Sequence, residues 1–242
     1  MLNKAVKWKI IPCNPCQDVD IPKPKSKGIP IYDEDQLKTF LCRLYSAPTR
    51  YRLMVLIALT TGLRRSEIFG LDWRHINFPK QTCYIEQNSV YVVGKGLITK
   101  DPKTDPSRRL LALPPTVMEL FKQHQQEQED ERNRLGPIWQ NSTRVFTTWD
   151  GRPMNPDTFN TWLKKFIKKN QLHHISPHSF RHMQATYALQ QGISLKSVSS
   201  RLGHAKTSTT ADIYAHALQS ADREIAVKMD HFLIDLTANQ RN

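Results

Sequence analysis

Apolar residues between positions 33 and 78 recur at helical spacing and predict three consecutive helices. The segment DEDQLKTFLCRLYSA opens with Asp33, a good helix cap, and carries acids in its first turn, where the helix dipole favours negative charge. The segment PTRYRLMVLIALTTG is apolar on almost every face, which predicts a buried helix that ends at Gly62. A short third helix follows in RRSEIFGLDW.

From residue 81 to 113 the pattern changes to short β-rich runs broken by Gly, Asp and Pro. The runs TCYIEQ, VYVV, GLITK and RRLLALP predict a small antiparallel sheet, with Lys100 and Lys103 flanking a turn between two of its strands. Helical patterns return at 115–134, 156–169, 177–191, 194–201 and 207–216, and an amphipathic helix is predicted at 221–236. The sequence therefore predicts an α+β fold, mainly α, with the small sheet embedded early.

The chain divides into three segments by composition. Residues 1–30 are rich in proline and lysine, as in IPKPKSKGIP, which predicts a tail and linker. Residues 31–219 carry the periodic pattern of one domain, and residues 220–242 form a C-terminal helix and tail. The apolar positions of that last helix suit packing on its own domain.

A strong excess of positive charge indicates a polyanionic partner. The 242 residues include 35 Lys and Arg against 22 Asp and Glu, a net charge of +13. No acid occurs between Asp157 and Asp212. The cations of this acid-free stretch are Lys164, Lys165, Lys168, Lys169, Arg181, Lys196, Arg201 and Lys206. Since an ordinary solvated surface mixes its signs, we expect this stretch to face phosphate.

Neither a membrane segment nor a secretion signal is predicted. No run approaches the roughly 18 apolar residues that a membrane helix needs, and the N-terminus lacks the apolar core of a signal peptide. The CNPC of Cys13 and Cys16 has metal-ligand spacing, but no second pair completes a zinc site. We therefore expect reduced thiols and a cytoplasmic, nucleoid-associated protein.

The stretch HHISPHSFRHM allows two interpretations. His174/His178 and His178/His182 are spaced four apart, which suits metal binding on a helix face, but no Asp or Glu is present to complete the ligand set. Alternatively, His178 and Arg181 lie three apart near a helix N-terminus that Pro177 favours, where they would bind one anion together.

Arg64 and Glu67 stand three residues apart in TGLRRSEIFGL. The carboxylate can hold the guanidinium in a fixed orientation by a bidentate pair, although an ordinary surface salt bridge fits the spacing equally well.

Taken in order, these motifs resemble the tyrosine recombinase (phage-type integrase) family. The family patterns TGLRxSE, PKTxxSxR, HxxRH, LGH and TxxxY match TGLRRSE, PKTDPSRR, HSFRH, LGHAKTSTT and DIYAH of this chain. The five motifs span roughly residues 33 to 216.

The resemblance implies a role for each matched residue. Arg64 and Arg181 would clamp the scissile phosphate, and Glu67 would support Arg64. Lys103 and His178 would act as general acid and base, although Lys100 is close enough to compete with Lys103. His204 would bind a phosphate oxygen, and Tyr214 would be the nucleophile. The DNA-binding set predicted around this site is Lys100, Lys164, Lys165, Lys168, Lys169 and Lys206.

The resemblance also implies the reaction and the partners. We expect a site-specific recombinase that acts without metal, cofactor or ATP on double-stranded DNA, as a homo-tetramer on paired sites, with accessory DNA-bending or excisionase proteins. The short N-terminal segment resembles the end of a missing core-binding domain, and the resemblance implies that the C-terminal segment 220–242 contacts a neighbouring protomer, which we expect. The alternatives are a type IB topoisomerase-like enzyme, a DNA-binding regulator without catalysis, and a zinc-dependent protein.

Overall fold

The computed structural model describes residues 2–17, 19, 29–100 and 108–204, together with positions 207, 210, 229 and 230. The α-helices among these residues are α1 (Leu2–Lys7), α2 (Glu34–Leu44), α3 (Thr49–Thr61), α4 (Arg65–Phe69), α5 (Pro115–Leu135), α6 (Asp157–Lys169), α7 (Pro177–Gln190) and α8 (Leu195–Leu202). The strands are β1 (Ile76–Asn77), β2 (Thr82–Ile85), β3 (Asn88–Val92), β4 (Gly96–Lys100) and β5 (Arg109–Ala112). The helices predicted at 207–216 and 221–236 lie outside the described residues, apart from the four isolated positions.

Helix α2 begins directly after Asp33, as the sequence predicts. Asp33 and Gln36 form a capping box there. The Asp33 carboxylate accepts a hydrogen bond from the Gln36 backbone N–H at 2.8 Å, and the Gln36 side chain accepts one from the Asp33 N–H at 3.3 Å. These two bonds satisfy N–H groups that the first turn of a helix leaves without partners. The N-terminal segment contains a feature that the sequence did not predict, the short helix α1, none of whose residues is buried.

Helix α3 lies at the centre of the core, between α5 and α7. Leu53, Met54, Val55 and Ile57 are at most 1% exposed, which confirms the prediction of a buried helix. Aromatic rings from α2, α6 and α7 extend the same core, where Phe40 contacts Phe180 at 5.7 Å between centroids. Burial of these large side chains supplies the main driving force that holds the helices together.

The strands form two small antiparallel sheets instead of the single predicted one. One sheet has the order β1-β2-β5, and the other is the hairpin of β3 and β4. The sequence predicted that Lys100 and Lys103 flank a turn between two strands of one sheet. This prediction is wrong, because the strands before and after these residues, β4 and β5, belong to different sheets. Strand β4 pairs with β3, whereas β5 pairs with β2. Alternating hydrophobicity identifies strands but does not specify partners that are distant in sequence.

Side-chain hydrogen bonds connect the hairpin to the end of α4. The carbonyl of Gly70 accepts hydrogen bonds from Gln87 Nε2 at 2.9 Å and from Arg144 Nη1 at 2.6 Å. Arg144 Nη2 also donates to Thr99 Oγ1 of β4 at 2.6 Å. The hairpin that ends at Lys100 is thus held against the helix that begins just after Arg64.

Within the described parts of the chain, every helix is too short or too polar to span a lipid bilayer.

Substitution of Gly62 should show how tightly α3 packs against α8. Gly62 has a φ of +68°, and a Cβ there would lie 2.5 Å from Leu202 Cδ2 in the core. Gly192 has a φ of +78°, but a Cβ there would meet nothing within 4 Å. Both alanine variants should lose about 1–2 kcal/mol for the left-handed conformation. Gly62→Ala should lose a further ~1–3 kcal/mol for overpacking.

Urea unfolding of the two variants measures this difference directly. Equal losses in the free energy of unfolding would show that the α3–α8 contact is not tightly packed.

Candidate active site

Two helix C-termini meet at the buried guanidinium of Arg181. Helix α3 ends at Gly62 and helix α8 ends at Gly203, both in the left-handed conformation. Arg181 is only 2% exposed, and it donates from Nη1 to Gly62 O at 2.6 Å and from Nη2 to Leu202 O at 2.8 Å. The carbonyls at a helix C-terminus carry partial negative charge, so they stabilise a buried cation.

Glu67 is buried and binds Arg64 twice, but the predicted bidentate pair between the carboxylate and the Arg64 guanidinium is not formed, because only Nη1 of that guanidinium contacts Glu67 and the second donor is the Arg64 backbone N–H. Glu67 is 2% exposed and accepts from the Arg64 backbone N–H and from Arg64 Nη1, each at 2.9 Å. Arg109 supplies two further donors, Nη2 to Oε2 at 3.0 Å and Nη1 to Oε1 at 3.3 Å. Four N–H groups thus occupy the acceptor sites of one carboxylate.

The ionisation of Glu67 follows from these contacts. Burial alone would raise the pKa of this carboxyl, but the hydrogen bonds and positive charges of Arg109 and Arg64 together lower it below its ordinary value. Glu67 is therefore negative at neutral pH and holds the Arg64 guanidinium by charge as well as by geometry.

His204 is held as a neutral imidazole of one defined tautomer. Its Nε2 lies 2.6 Å from Arg181 Nη2, and because a guanidinium only donates, Nε2 accepts. The proton therefore sits on Nδ1, which donates to Thr210 Oγ1 at 2.8 Å. Burial, followed by the charges of Arg181, Arg64 and Arg109, lowers the pKa of His204 to about 4, while Glu67 opposes this shift.

The histidines of α7 differ from the predicted arrangement. His178 and His182 share a helix face, with ring centroids 4.6 Å apart, but α7 begins at Pro177, so His174 precedes the helix and does not share that face. Proline suits the first helical position and disfavours helical backbone in the residue before it. Desolvation by the surrounding protein, followed by the charges of Arg181 and Arg64, lowers the pKa of His178.

Arg64 and His178 line a cleft of about 500 Å³, together with Ser66, Asn160 and Ser176. Within the described residues, no group of three or more His, Cys, Asp or Glu side chains is placed to hold a metal ion. The ionisable side chains named in the lining are cationic or titratable bases, so the cleft suits an anion.

The lysines of α6 lie on two different faces. All four are exposed, and Lys164 and Lys168 follow Asn160 of the cleft at spacings of four residues, along one stripe of the helix. Lys165 and Lys169 instead line a separate groove beside Trp162. Only the first pair therefore continues the cationic surface from the cleft.

Some of the remaining predicted residues lie within the described parts of the chain, and others lie outside them. Lys100 is exposed at the end of β4. Lys103, Lys206 and Tyr214 lie outside the described residues. Arg201, expected to face phosphate, instead donates from Nη2 to Thr60 O and Ala112 O, each at 3.1 Å.

Arg109 is the functional candidate that the sequence analysis missed. It occupies the final position of the PKTDPSRR motif, in which only the lysine received a role. The motif itself was the available signal, but nothing local indicates that this arginine contacts Glu67, 42 residues earlier in the chain.

A titration of the His204 ring should test this electrostatic arrangement. We expect a midpoint of about 4 by NMR of the ring carbons, with the signal assigned by its loss in His204→Gln. The imidazole in the unfolded chain has the ordinary pKa of about 6.5, so as the pH falls it binds a proton before the folded protein does. Protonation of His204 should therefore lower the free energy of unfolding between about pH 6.5 and the lower pKa of the folded protein. A midpoint at or above the ordinary value would contradict the burial and the adjacent positive charges described above.

Comparison with solved structures identifies the fold. The chain superimposes on the Tn1549 transposon integrase in complex with transposon right end DNA with a TM-score of 0.76 at 21% identity, covering 93% of this chain and 74% of that one. The XerA recombinase gives a TM-score of 0.64 at 21% identity, covering 88% and 70%. The fold, a mainly helical domain with small antiparallel sheets, is that of tyrosine recombinase catalytic domains.

Sequence comparison identifies the family. The chain is 27% identical to the ICEBs1 integrase of Bacillus subtilis over 96% of its length, and 30% identical to the "Tyrosine recombinase XerC-like" protein of Caldanaerobacter subterraneus over 89%. It spans only 63% and 59% of those relatives. The sequence model described as "Phage integrase family" matches residues 31–221. The chain therefore belongs to the phage integrase family.

Proposed function

We propose that this chain carries the catalytic site of a site-specific DNA recombinase. The enzyme cleaves and rejoins DNA through a 3′-phosphotyrosyl intermediate and a Holliday junction, and so integrates or excises a mobile element. The observation that carries this proposal is the fixed placement of Arg64 in the cleft by Glu67, with Arg181 and His204 held where helices α3 and α8 end. Relatives named integrase and tyrosine recombinase support it.

The arrangement of the arginines suits a phosphodiester. Cleavage redistributes negative charge over the nonbridging oxygens, and fixed donors stabilise it without reorganising during the reaction. The side chain of Arg64 is 39% exposed, with one edge bound to Glu67. Its Nη2 makes only a long contact of 3.4 Å to Gly203 O, which a phosphate oxygen can replace. Arg181 is proposed to add its positive charge to the same phosphate site, and it holds His204 through the 2.6 Å contact of its Nη2 with His204 Nε2.

In this proposal Tyr214 supplies the nucleophile and His178 accepts its proton. The lowered pKa of His178 keeps the imidazole neutral at pH 7, as a base requires. A free phenol has a pKa near 10, so ionising it at pH 7 costs roughly 4 kcal/mol. The nearby arginines offset part of this cost by stabilising the phenolate.

The proposed covalent step needs no cofactor, because each bond that breaks is matched by one that forms. The Tyr214 oxygen bonds to phosphorus while the bond to the 5′-oxygen breaks, and Lys103, or its competitor Lys100, protonates the leaving oxygen. The new phosphodiester conserves the energy of the old one, so attack by a 5′-hydroxyl of the partner strand rejoins the DNA without ATP. Fixed cations take the place that a metal ion has in other phosphoryl-transfer sites.

The proposed partners follow from charge and from the reaction. Double-stranded DNA follows the cleft onto Lys164 and Lys168, which extend its positive charge along α6. Strand exchange between two sites requires four active sites, which we propose are supplied by a homo-tetramer. The segment 220–242 is proposed to contact the neighbouring protomer, and DNA-bending or excisionase proteins are proposed to assist.

Tyr214→Phe should keep DNA binding but form no covalent adduct, because it removes only the attacking oxygen. A nicked suicide substrate measures this, since the short fragment that carries the new 5′-hydroxyl diffuses away, religation is prevented and the wild-type protein stays trapped on the DNA. Adduct formation by the variant would show that another residue is the nucleophile. Relaxation of plasmid by the wild type without strand exchange would instead favour the topoisomerase-like alternative.

Arg64→Lys should slow cleavage by about 10²–10³-fold at saturating DNA, because an ammonium cannot bind Glu67 and a phosphate oxygen through one planar fork. The comparison variant is Arg65→Lys, whose native guanidinium pairs with Asp157 at 2.5 Å instead of with Glu67. We expect Arg65→Lys to lose less than about tenfold, as an exposed ion pair contributes little. Equal losses in single-turnover cleavage would show that Arg64 has no special role.

A further inference from the structure

The side chain of Arg109 joins two parts of the site that are far apart in sequence. It is 8% exposed, at the first position of β5. Its two terminal nitrogens bind both oxygens of Glu67, the carboxylate that orients Arg64. This is the two-pronged geometry that fixes a carboxylate in rotation as well as in position.

The remaining edge of the same guanidinium supports the turn that carries His204. Arg109 Nε donates to Arg201 O at 2.7 Å, in the last turn of α8. A Cβ on Gly203 would lie 2.7 Å from Arg109 Nη1, so the turn passes directly over the guanidinium and only glycine fits there. His204 follows immediately and contacts Arg181.

The backbone of Arg109 fixes where its side chain begins. Arg109 pairs with Ile85 in the register of β2 and β5. The side chain that binds Glu67 and the carbonyl of Arg201 therefore extends from a paired strand. A displacement of about 1 Å at such a point is enough to slow a reaction on the order of 10²-fold.

We infer that Arg109 is a positioning residue of this active site, acting on Arg64 through Glu67 and on His204 through the turn at Gly203. The inference rests on the proposed recombinase function and adds to it a residue that never touches the phosphate. Lysine cannot replace it, because one ammonium group cannot bind both carboxylate oxygens and a carbonyl at fixed angles.

The test compares Arg109→Lys with Arg64→Lys in single-turnover cleavage of a suicide substrate at saturating DNA. Arg108→Lys, at the exposed neighbouring position, is the matched control and should cleave within about twofold of the wild type. Arg109→Lys should slow cleavage on the order of 10²-fold, with the Kd for DNA changed less than about threefold.

A methylphosphonate at the scissile position separates positioning from general damage to the fold. It replaces one charged oxygen by a methyl group, so one diastereomer no longer needs the cation that Arg64 provides. In the diastereomer that relieves Arg64→Lys, the defect of Arg109→Lys should shrink by about tenfold or more, in parallel. An equal defect on both substrates, or no defect on the phosphodiester, would overturn the inference.

A double variant keeps the test decisive if Arg109→Lys folds poorly. Glu67→Gln with Arg109→Gln removes the buried charge together with its partner. Because only the route through the turn remains once Glu67 is replaced, adding Arg109→Gln to Glu67→Gln should slow cleavage less than Arg109→Gln slows the wild type. Effects that multiply fully would show that Arg109 does not act through Glu67 and would overturn the inference. If the wild type itself forms no adduct, the proposed function is overturned and the inference with it. If the wild type is active and Arg109→Lys cleaves at the normal rate, the inference alone is overturned.

Discussion

The buried carboxylate of Glu67 is the interaction on which the rest of the site depends. Arg64 and Arg109 both bind it, and Arg64 and Arg181 contact the neighbouring carbonyls of Gly203 and Leu202, so three guanidiniums lie near one another, two of them buried. Cations placed this close repel one another strongly where water is excluded. One carboxylate saturated by four N–H groups, with the carbonyls that end α3 and α8, supplies the opposing negative charge. Removing either source would leave buried cations uncompensated, which is costly in folded proteins.

The same crowding of cations determines the protonation of the histidines. Positive neighbours and desolvation lower the pKa of His178, and they lower the pKa of both His182 and His204 to about 4. At neutral pH the arginines supply permanent positive charge to the site, since a guanidinium stays protonated. The imidazoles remain uncharged, which leaves His178 free to accept a proton and fixes His204 as an acceptor towards Arg181.

Local features of the sequence were sufficient to predict helices α2 to α8, but not the short helix α1. The capping residue Asp33 and the all-round apolar pattern before Gly62 locate α2 and α3, because caps and periodicity act within one or two turns. Strand pairing was not predictable in this way, since nothing near β4 and β5 specifies β3 and β2 as their partners. Arg109 was missed for the same reason, because its importance comes from contacts made across the fold.

The glycines that end α3 and α8 couple the stability of the fold to the geometry of the site. Each adopts the left-handed conformation that terminates its helix, and each terminus thereby directs a carbonyl at Arg181. The absence of a Cβ lets Leu202 pack against Gly62 and lets Arg109 pass beneath Gly203. The contacts that hold α8 on α3 are therefore also those that orient Arg181 and the turn before His204. A change at this junction cannot weaken helix packing without also moving the groups that would bind phosphate.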